Sequence, residues 1–275
     1  MTIFRARRAF RTPARFFRTA ASGILGALLV LSLGANWVFA AKTHPFVPGE
    51  RLVFELRWEF VPAGEATIEV MPLAELDGTP ARHFVMTART NRFVDAFYKV
   101  RDRIDAFADA DLTRSLLYRK DQREGRRRRR IEVRFDWEAG KARYANFGEP
   151  RDPIPLLAGT FDPLSAFFFV RGLELRPGMV VERPVTDGKK NVVGRVAVLE
   201  RETITVKGTR FDTFRLAPDM KDVGGVFEKS EGADMDVWVT ADPRHIPVRI
   251  RSSVAVGDFV AELVSVETGE GEGRP

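Results

Sequence analysis

Three aspartates and a histidine near the carboxyl end have side chains that could bind a metal ion or transfer a proton. Asp234 and Asp236 are two residues apart and therefore share one face of a strand. Asp242 and His245 follow in the next turn. A metal site needs convergent ligands of suitable type, whereas outward carboxylates followed by an Asp242-Pro243 turn explain the same residues. We predict no metal site and no catalytic residue here.

Other motifs that carry chemistry are missing from the sequence. Cysteine is absent, which excludes disulfides, thiol chemistry and a lipidated cysteine, so we expect no lipoprotein. There is no G-x-S-x-G nucleophile motif, no P-loop and no dinucleotide fingerprint. We therefore expect no cofactor, and enzymatic activity has no support in the sequence.

The most conspicuous polar feature is the run of five arginines from Arg126 to Arg130. Charge runs usually mark solvated loops, here the end of a hairpin after Glu124-Gly125. The second interpretation depends on register. If the strand that contains Ile131 and Phe135 extends backwards, Arg127 and Arg129 lie on its apolar face. Their guanidinium groups would then bind phosphate or carboxylate at the mouth of a concave surface.

The 22 phenylalanines, against three tyrosines, are the second conspicuous feature. Most buried aromatic residues serve core packing. The consecutive Phe167, Phe168 and Phe169 are different, because a helix cannot place three neighbouring rings on one face. We therefore predict that Phe135, Phe167 and Phe168, together with Arg127 and Arg129, contact a ligand.

Alternation of apolar and charged residues predicts the strands that position these side chains. The period of two, with turn signals such as Asp77-Gly78 and Lys207-Gly208, recurs along the chain and is typical of an antiparallel sheet. We predict an all-β fold, a large curled sheet or barrel-like meander, with a sandwich as the alternative. The clearest runs are Leu52, Phe54, Leu56, Trp58, Phe60; Ile131, Val133, Phe135, Trp137; and Phe259, Ala261, Leu263.

Two segments depart from this period and predict short helices. Asp162 at an N-cap and Pro163 at the first helical position begin one that reaches Arg171. Its apolar residues cover nearly every face, so it should be buried against the sheet or plug the barrel. The segment from Asn91 to Val100 has apolar residues at helical spacing and predicts the second.

The first 40 residues resemble a secretory signal. They contain six arginines and no acid, followed by an uncharged stretch from Thr19 to Ala41. Cleavage between Ala40 and Ala41 is the favoured processing event, and retention of Ile24 to Phe39 as a membrane anchor is the alternative. An arginine pair, Arg7-Arg8, leaves Sec and Tat export both open.

The remaining chain is formally neutral. Subtracting the six signal arginines from 44 Lys and Arg leaves 38, the number of Asp and Glu. A nucleic-acid-binding domain would have a basic surplus, so we expect no nucleic-acid partner. We predict one domain over residues 41–267, with a disordered Gly/Glu tail over 268–275.

Four blocks of residues form a recognisable pattern along the chain. They are Phe46-x-Pro48-Gly49-Glu50-x-Leu52-x-Phe54 followed by Trp58 and Ala63-Gly64-x-Ala66; Phe161-Asp162-Pro163-Leu164-Ser165-Ala166 with Arg171; Pro184-Val185-x-Asp187-Gly188-Lys189; and Trp238-Val239-Thr240-x-Asp242 with Ile246-Pro247-Val248. In this order the blocks resemble the DUF3108 family of exported proteins from Gram-negative bacteria. The resemblance implies a periplasmic location and a large antiparallel β fold that curls partly around itself. It implies no catalytic residue.

We expect a non-enzymatic cell-envelope protein, without a membrane span after processing, that holds or carries an amphipathic ligand such as a lipid or glycolipid. This expectation is based on the barrel-like pattern, the many phenylalanines and the arginine run, because a fold by itself does not determine function. The alternative is a scaffold or accessory protein for envelope polysaccharide or outer-membrane assembly, which would bind a protein partner. An envelope hydrolase ranks third.

Overall fold

The alternating segments form strands of one antiparallel sheet. The structure is a computed structural model, and it describes residues 44–219, 234–254 and 257–269. In order along these residues, the strands and helices are β1 (Arg51–Trp58), β2 (Val61–Val70), β3 (Ala74–Leu76), β4 (Thr79–Thr90), α1 (Arg92–Asp95), β5 (Arg101–Asp109), β6 (Ser115–Glu124), β7 (Arg127–Asp136), β8 (Lys141–Asn146), β9 (Glu149–Pro150), β10 (Ile154–Pro155), α2 (Pro163–Arg171), β11 (Val180–Thr186), β12 (Asn191–Val206), β13 (Thr209–Pro218), β14 (Asp234–Thr240), β15 (Pro247–Val254) and β16 (Gly257–Glu267).

The strands follow chain order closely within the sheet. Its order is β10-β8-β7-β6-β5-β4-β2-β1-β16-β15-β14-β13-β12-β11, with β3 and β9 paired at the side. The pair whose two strands lie farthest apart in the sequence is β1 with β16. It runs from Arg51 opposite Glu267 to Trp58 opposite Phe259. The predicted antiparallel, barrel-like sheet is confirmed. The sheet does not close into a complete barrel, because β10 and β11 at its two ends do not pair with each other. The predicted alternative, a sandwich of two packed sheets, is not observed among the described residues.

The two ends of the sheet meet across the segment that follows β10. Phe161 forms an isolated parallel bridge with Val185 of β11. Its amide donates to Pro184 O over 2.9 Å, and the Thr186 amide donates to Phe161 O over 2.9 Å. The β11–β12 turn reaches the opposite side, where a methyl group at Gly188 would lie 2.6 Å from Val133 Cγ2. These contacts, which we call the seam, hold the sheet curled.

The inner face of the sheet forms the core. Leu52, Phe54 and Val133 are almost completely buried, as their alternation predicts. The first predicted run is less regular at its end, because β1 stops at Trp58 and the chain turns at Glu59, which has φ +50°. Phe60 therefore lies in the turn and is 85% exposed, rather than on the inner face.

Helix α2 begins where the sequence predicts. The Asp162 side chain accepts hydrogen bonds from the amides of Leu164 and Ser165, each over 2.9 Å. The helix then packs against the inner face, and Phe168 stacks on Phe84 of β4 with ring centroids 3.8 Å apart.

The second predicted helix, Asn91 to Val100, is wrong in extent. Only Arg92–Asp95 is helical, with Asn91 as its N-cap. Val100 already bridges to Glu124, and Arg101 pairs with Arg89 of β4. Strand pairing therefore takes over the second half of the segment that has helical spacing.

Neither helix within the described ranges is long and apolar enough to cross a membrane. The predicted cleavage position, Ala40 and Ala41, lies outside the described residues, as does the predicted tail beyond Gly269.

Candidate functional site

One end of the curled sheet is assembled from turns that lie far apart in sequence. Trp58 pairs with Val61, Arg89 pairs with Arg101 and Glu124 pairs with Arg127. The Asn91 amide donates to Ala63 O over 2.9 Å, and the Gly125 amide donates to Lys99 O over 2.8 Å. We call this end, residues 58–64, 90–102 and 120–130, the mouth.

Strand β7 has the register that the sequence predicts. Ile131, Val133 and Phe135 are buried on its inner face, and Arg129 is half-buried on that same face. Arg127, one step nearer the turn, is exposed at the mouth. The arginine run is thus divided between the two faces of the strand. Whether Arg127 and Arg129 bind a ligand stays a prediction.

Neighbouring strands add further polar side chains to the inner face at this level. Lys120, Gln122 and Glu124 of β6 lie opposite Ile131, Arg129 and Arg127, respectively. The Gln122 amide group donates to Glu124 Oε1 over 2.6 Å. Asp102 of β5 accepts a hydrogen bond from the Arg123 amide over 2.9 Å. Together these form the inner polar cluster, defined as Asp102, Lys120, Gln122, Glu124, Arg127 and Arg129.

Burial changes the proton affinities of two members of this cluster. It raises the pKa of Asp102 to about 6, and the nearby Glu124 carboxylate contributes to the rise. Burial also lowers the pKa of the Lys120 ammonium group, although Asp102 and Glu124 act in the opposite direction. Because both shifts arise from burial, the cluster is partly withdrawn from water, as groups in binding or catalytic sites often are.

Ion pairs are frequent on the outer face of the sheet, as in Arg103 Nη2–Asp105 Oδ1 at 2.7 Å and Arg119 Nε–Glu132 Oε2 at 2.9 Å. At the mouth, however, Arg128 and Arg130 on the outer face of β7 form no ion pair within the described residues. Within the described part of the chain, Lys120, Arg127 and Arg129 have no carboxylate within ion-pair distance. The inner face at the mouth can therefore accept an anion.

The three predicted phenylalanines are not brought to the mouth. Phe168 is completely buried between Phe84 and Phe46, and Phe135 is 6% exposed in the same core. Phe84 lies six residues from the end of β4 at Thr90, which corresponds to about 20 Å along the strand. Phe167 is half-buried and packs against the core. These side chains fill the interior at the end opposite the mouth.

Sequence reasoning missed a buried ion pair in that filled end. Arg171, at the end of α2, is 1% exposed, and its Nη1 lies 2.7 Å from Oε1 of Glu50. Arg171 also donates to the carbonyl oxygens of Arg244 and His245, over 3.1 and 3.2 Å. Its guanidinium group lies 5.3 Å from the centre of the Phe168 ring.

This pair joins the strand-free segment before β1, helix α2 and the turn between β14 and β15. It therefore connects three of the four blocks that resemble the family pattern. A charged residue at the end of an otherwise apolar helix was the one available signal, but it does not identify the partner 121 residues away.

Of the four residues considered for metal or proton chemistry, Asp234 is exposed and the other three have separate structural roles. Asp236 binds Arg215 and Arg251, over 2.9 Å each. Asp242 accepts from the Arg244 amide over 2.9 Å, and His245 Nδ1 lies 3.0 Å from Arg171 O. Among the described residues, no three acidic or histidine side chains are grouped so that they could bind a metal ion.

Solved structures resemble this chain in fold. A β-barrel-like protein of the domain of unknown function DUF1849 from Brucella abortus has a TM-score of 0.52 and 13% identity, covering 82% of this chain and 100% of the other. A Bacteroides fragilis protein with a YmcC-like fold has a TM-score of 0.33 and 10% identity, covering 82% and 99%. Lipoprotein LppX of Mycobacterium tuberculosis has a TM-score of 0.26 and 11% identity, covering 82% and 89%. The first likeness concerns the fold alone, and the other two are too weak to support an argument.

No curated protein matches the chain. Residues 53–264 match the model of the family described as "Protein of unknown function (DUF3108)", so the region that builds the curled sheet and the mouth places this chain in the DUF3108 family.

Proposed function

We propose that this is a non-enzymatic periplasmic protein of the cell envelope that binds an acidic amphiphile, a lipid or glycolipid, on the inner face at its mouth. The observation that supports this most directly is the inner polar cluster, in which Lys120, Arg127 and Arg129 have no ion-pair partner among the described residues. Lys120 and Arg129 are partly buried, and the cluster has three cations against the two carboxylates of Asp102 and Glu124, so a partly buried positive charge is left without a matching counter-charge, which is costly. A phosphate or carboxylate headgroup would supply it through charge-assisted hydrogen bonds.

The apolar part of the ligand would contact the half-buried surface between the cluster and the core. Because Phe135 and Phe168 already pack against other side chains, this role falls to smaller residues nearer the mouth. Apolar side chains that are only partly buried line the inner face there: Leu56, Met86, Ala88, Ile104 and Ala261. The half-buried Phe167 would contact the ligand only if its chain reaches α2.

The test uses the protein purified from cells, organic extraction and mass spectrometry. An acidic amphiphile should be recovered from the native protein. The double change Arg127→Ser with Arg129→Ser should lower its recovery by about tenfold or more, since each charge-assisted hydrogen bond contributes about 1.5 kcal/mol or more. The matched control is Arg128→Ser with Arg130→Ser, which removes two arginines from the outer face of the same strand.

An empty native protein, or equal recovery from the two double variants, would refute the proposal. The scaffold function, with a protein partner in envelope assembly, would then become the better explanation. Denaturant unfolding of each variant would show whether a loss of ligand reflects a loss of fold.

A further inference from the structure

The mouth also carries a concentration of exposed aromatic side chains. Phe60 is 85% exposed, Phe97 79% and Phe93 66%. Across the described part of the chain, all the exposed aromatic residues lie at or beside this end, whereas the exposed apolar residues elsewhere are valines and leucines. The complete aromatic set is Trp58, Phe60, Phe93, Phe97, Tyr98, Phe147 and Phe259.

Strand pairing shows that these residues belong to one surface, which we call the aromatic rim. Trp58 lies opposite Phe259 across the β1–β16 pair. The Asn91 side chain donates to Pro62 O over 2.6 Å, which joins the segment containing Phe93 and Phe97 to the turn that contains Phe60. Phe93 and Phe97 contact each other edge to face, with ring centroids 5.7 Å apart. Several large apolar side chains exposed together mark an interaction surface rather than chance exposure.

Exposed cations surround the aromatic rim. Arg92, Lys99 and Arg126 are exposed beside it and form no ion pair within the described residues. The Asp95 carboxylate at the same end is already neutralised by Arg101, over 2.6 Å. A cavity of about 470 Å³ at this end has six cations and one carboxylate in its lining, which consists of Lys99, Arg101, Asp121, Arg123, Arg128, Arg129, Arg130 and Phe147. The surface around the rim is therefore basic.

Aromatic side chains interleaved with arginines and lysines fit the surface of an anionic bilayer. Aromatic rings are favoured at the level of the lipid headgroups, and each nearby Lys or Arg is attracted by the negative surface potential. Stable attachment of a peripheral protein combines buried apolar area with such basic groups. The mouth supplies both, and its surplus of positive charge favours a lipid surface over a neutral or basic protein.

We propose that the aromatic rim docks this protein on an anionic membrane surface. Phe60, Phe93 and Phe97 enter the boundary between headgroups and acyl chains, while Arg92, Lys99 and Arg126 contact lipid phosphates. Docking in this orientation places the inner polar cluster next to the bilayer. Docking does not require that the cluster bind a ligand, so this activity goes beyond the proposed function and can exist without it.

Vesicle co-sedimentation of the protein purified from cells tests the proposal. Vesicles of phosphatidylglycerol and phosphatidylethanolamine should bind the native protein, whereas pure phosphatidylcholine vesicles should bind it about tenfold or more weakly. Binding to the anionic vesicles should fall as salt is raised, because screening weakens the attraction between exposed charges.

Two variants and their matched controls separate the apolar and charged contributions. Phe60→Ser, Phe93→Ser and Phe97→Ser together should weaken binding about tenfold or more. The control, Leu73→Ser, Val193→Ser and Val264→Ser, changes three exposed apolar residues elsewhere and should leave it unchanged. Arg92→Ser with Arg126→Ser should weaken binding, but Arg176→Ser with Arg210→Ser should not.

Failure of the native protein to bind anionic vesicles, or equal binding by the two triple variants, would overturn the proposal. A cross-linked protein partner lost only from the aromatic triple variant, without vesicle binding, would assign the rim to a protein instead. Lipid extraction from the same samples distinguishes the two proposals, since vesicle binding by a protein that contains no ligand supports docking and contradicts the function proposed for the inner polar cluster.

Discussion

At the residue scale, Arg171 combines complete burial with a full charge. Its guanidinium group is satisfied by Glu50 and by two carbonyl oxygens, so the pair is structurally complete. Removing one member of a buried ion pair lowers the free energy of unfolding by more than the intact pair contributes to it, because the remaining buried charge has no partner. Arg171 and Glu50 therefore determine whether the filled end of the sheet can form.

We expect Arg171→Met to lower the free energy of unfolding by about 3–5 kcal/mol, as measured by urea denaturation. Arg171→Met with Glu50→Gln should recover part of this loss, because the double variant leaves no buried charge. Arg176→Met is the control, since the Arg176–Glu174 pair is exposed and should contribute little. A single variant as stable as the native protein would show that Glu50 can be solvated where it lies.

Individual positions show which residue-scale features the sequence could predict. The inward face of Arg129 follows from a period of two counted back from Ile131, and the strand has that register. The convergence of Glu50, Arg171 and His245 depends on which strands become neighbours, and no local spacing contains that information. The exposure of Phe60 was likewise missed, because alternation does not show where a strand ends.

At the element scale, the start of α2 depends on one buried carboxylate. Asp162 accepts hydrogen bonds from two helix amides through Oδ1 and from Ser115 Oγ through Oδ2, the last over 2.5 Å. Its complete burial raises its pKa above the usual aspartate range. The same side chain therefore caps the helix and attaches it to β6.

Asp162→Ala should cost more than the roughly 1 kcal/mol of an exposed N-cap, because Ser115 and two amides lose their acceptor together. Asp162→Asn should be milder, since its amide oxygen can still accept from Leu164 and Ser165. Urea denaturation of the two variants gives the comparison. Equal losses from Ala and Asn would mean that the contact with Ser115, rather than the cap, carries the effect.

The two helices also show the limits of local patterns. Asp162-Pro163 predicts a helix start by a mechanism that acts within one turn, and the helix begins there. The helical spacing after Asn91 was outweighed by the pairing of β5 with β4, which is a contact between segments. A local feature such as a helix N-cap can be predicted from the sequence where no strand pairing competes with it.

At the scale of the whole molecule, the curl of the sheet depends on the seam. Period-two alternation predicts strands but not how the two ends of the sheet meet, so a curled sheet, a barrel and a sandwich all remained open. Side-chain packing between the β11–β12 turn and β7–β8, together with the bridge at Phe161, decides the result.

Gly188→Ala should therefore destabilise the protein more than Gly178→Ala. Both glycines have a left-handed φ, +88° and +83°, so both substitutions carry similar backbone strain. A methyl group at Gly188 would also collide with Val133 at 2.6 Å, whereas none of the surrounding atoms lies within 4 Å of one at Gly178. The difference between the two unfolding free energies should be about 1–3 kcal/mol. Equal losses of unfolding free energy in the two variants would mean that the seam can accommodate the methyl group without being destabilised.

The pairing of β1 with β16 has a consequence for the order of events during folding. Arg51 and its partner Glu267 are 216 residues apart, so β1 can pair with β2 early but must wait for the last strand on its other edge. An unpaired strand edge readily pairs with another chain, and contacts between distant segments form slowly. The folding protein is therefore vulnerable to aggregation until β16 pairs with β1, and formation of that pair commits β1 to its own sheet.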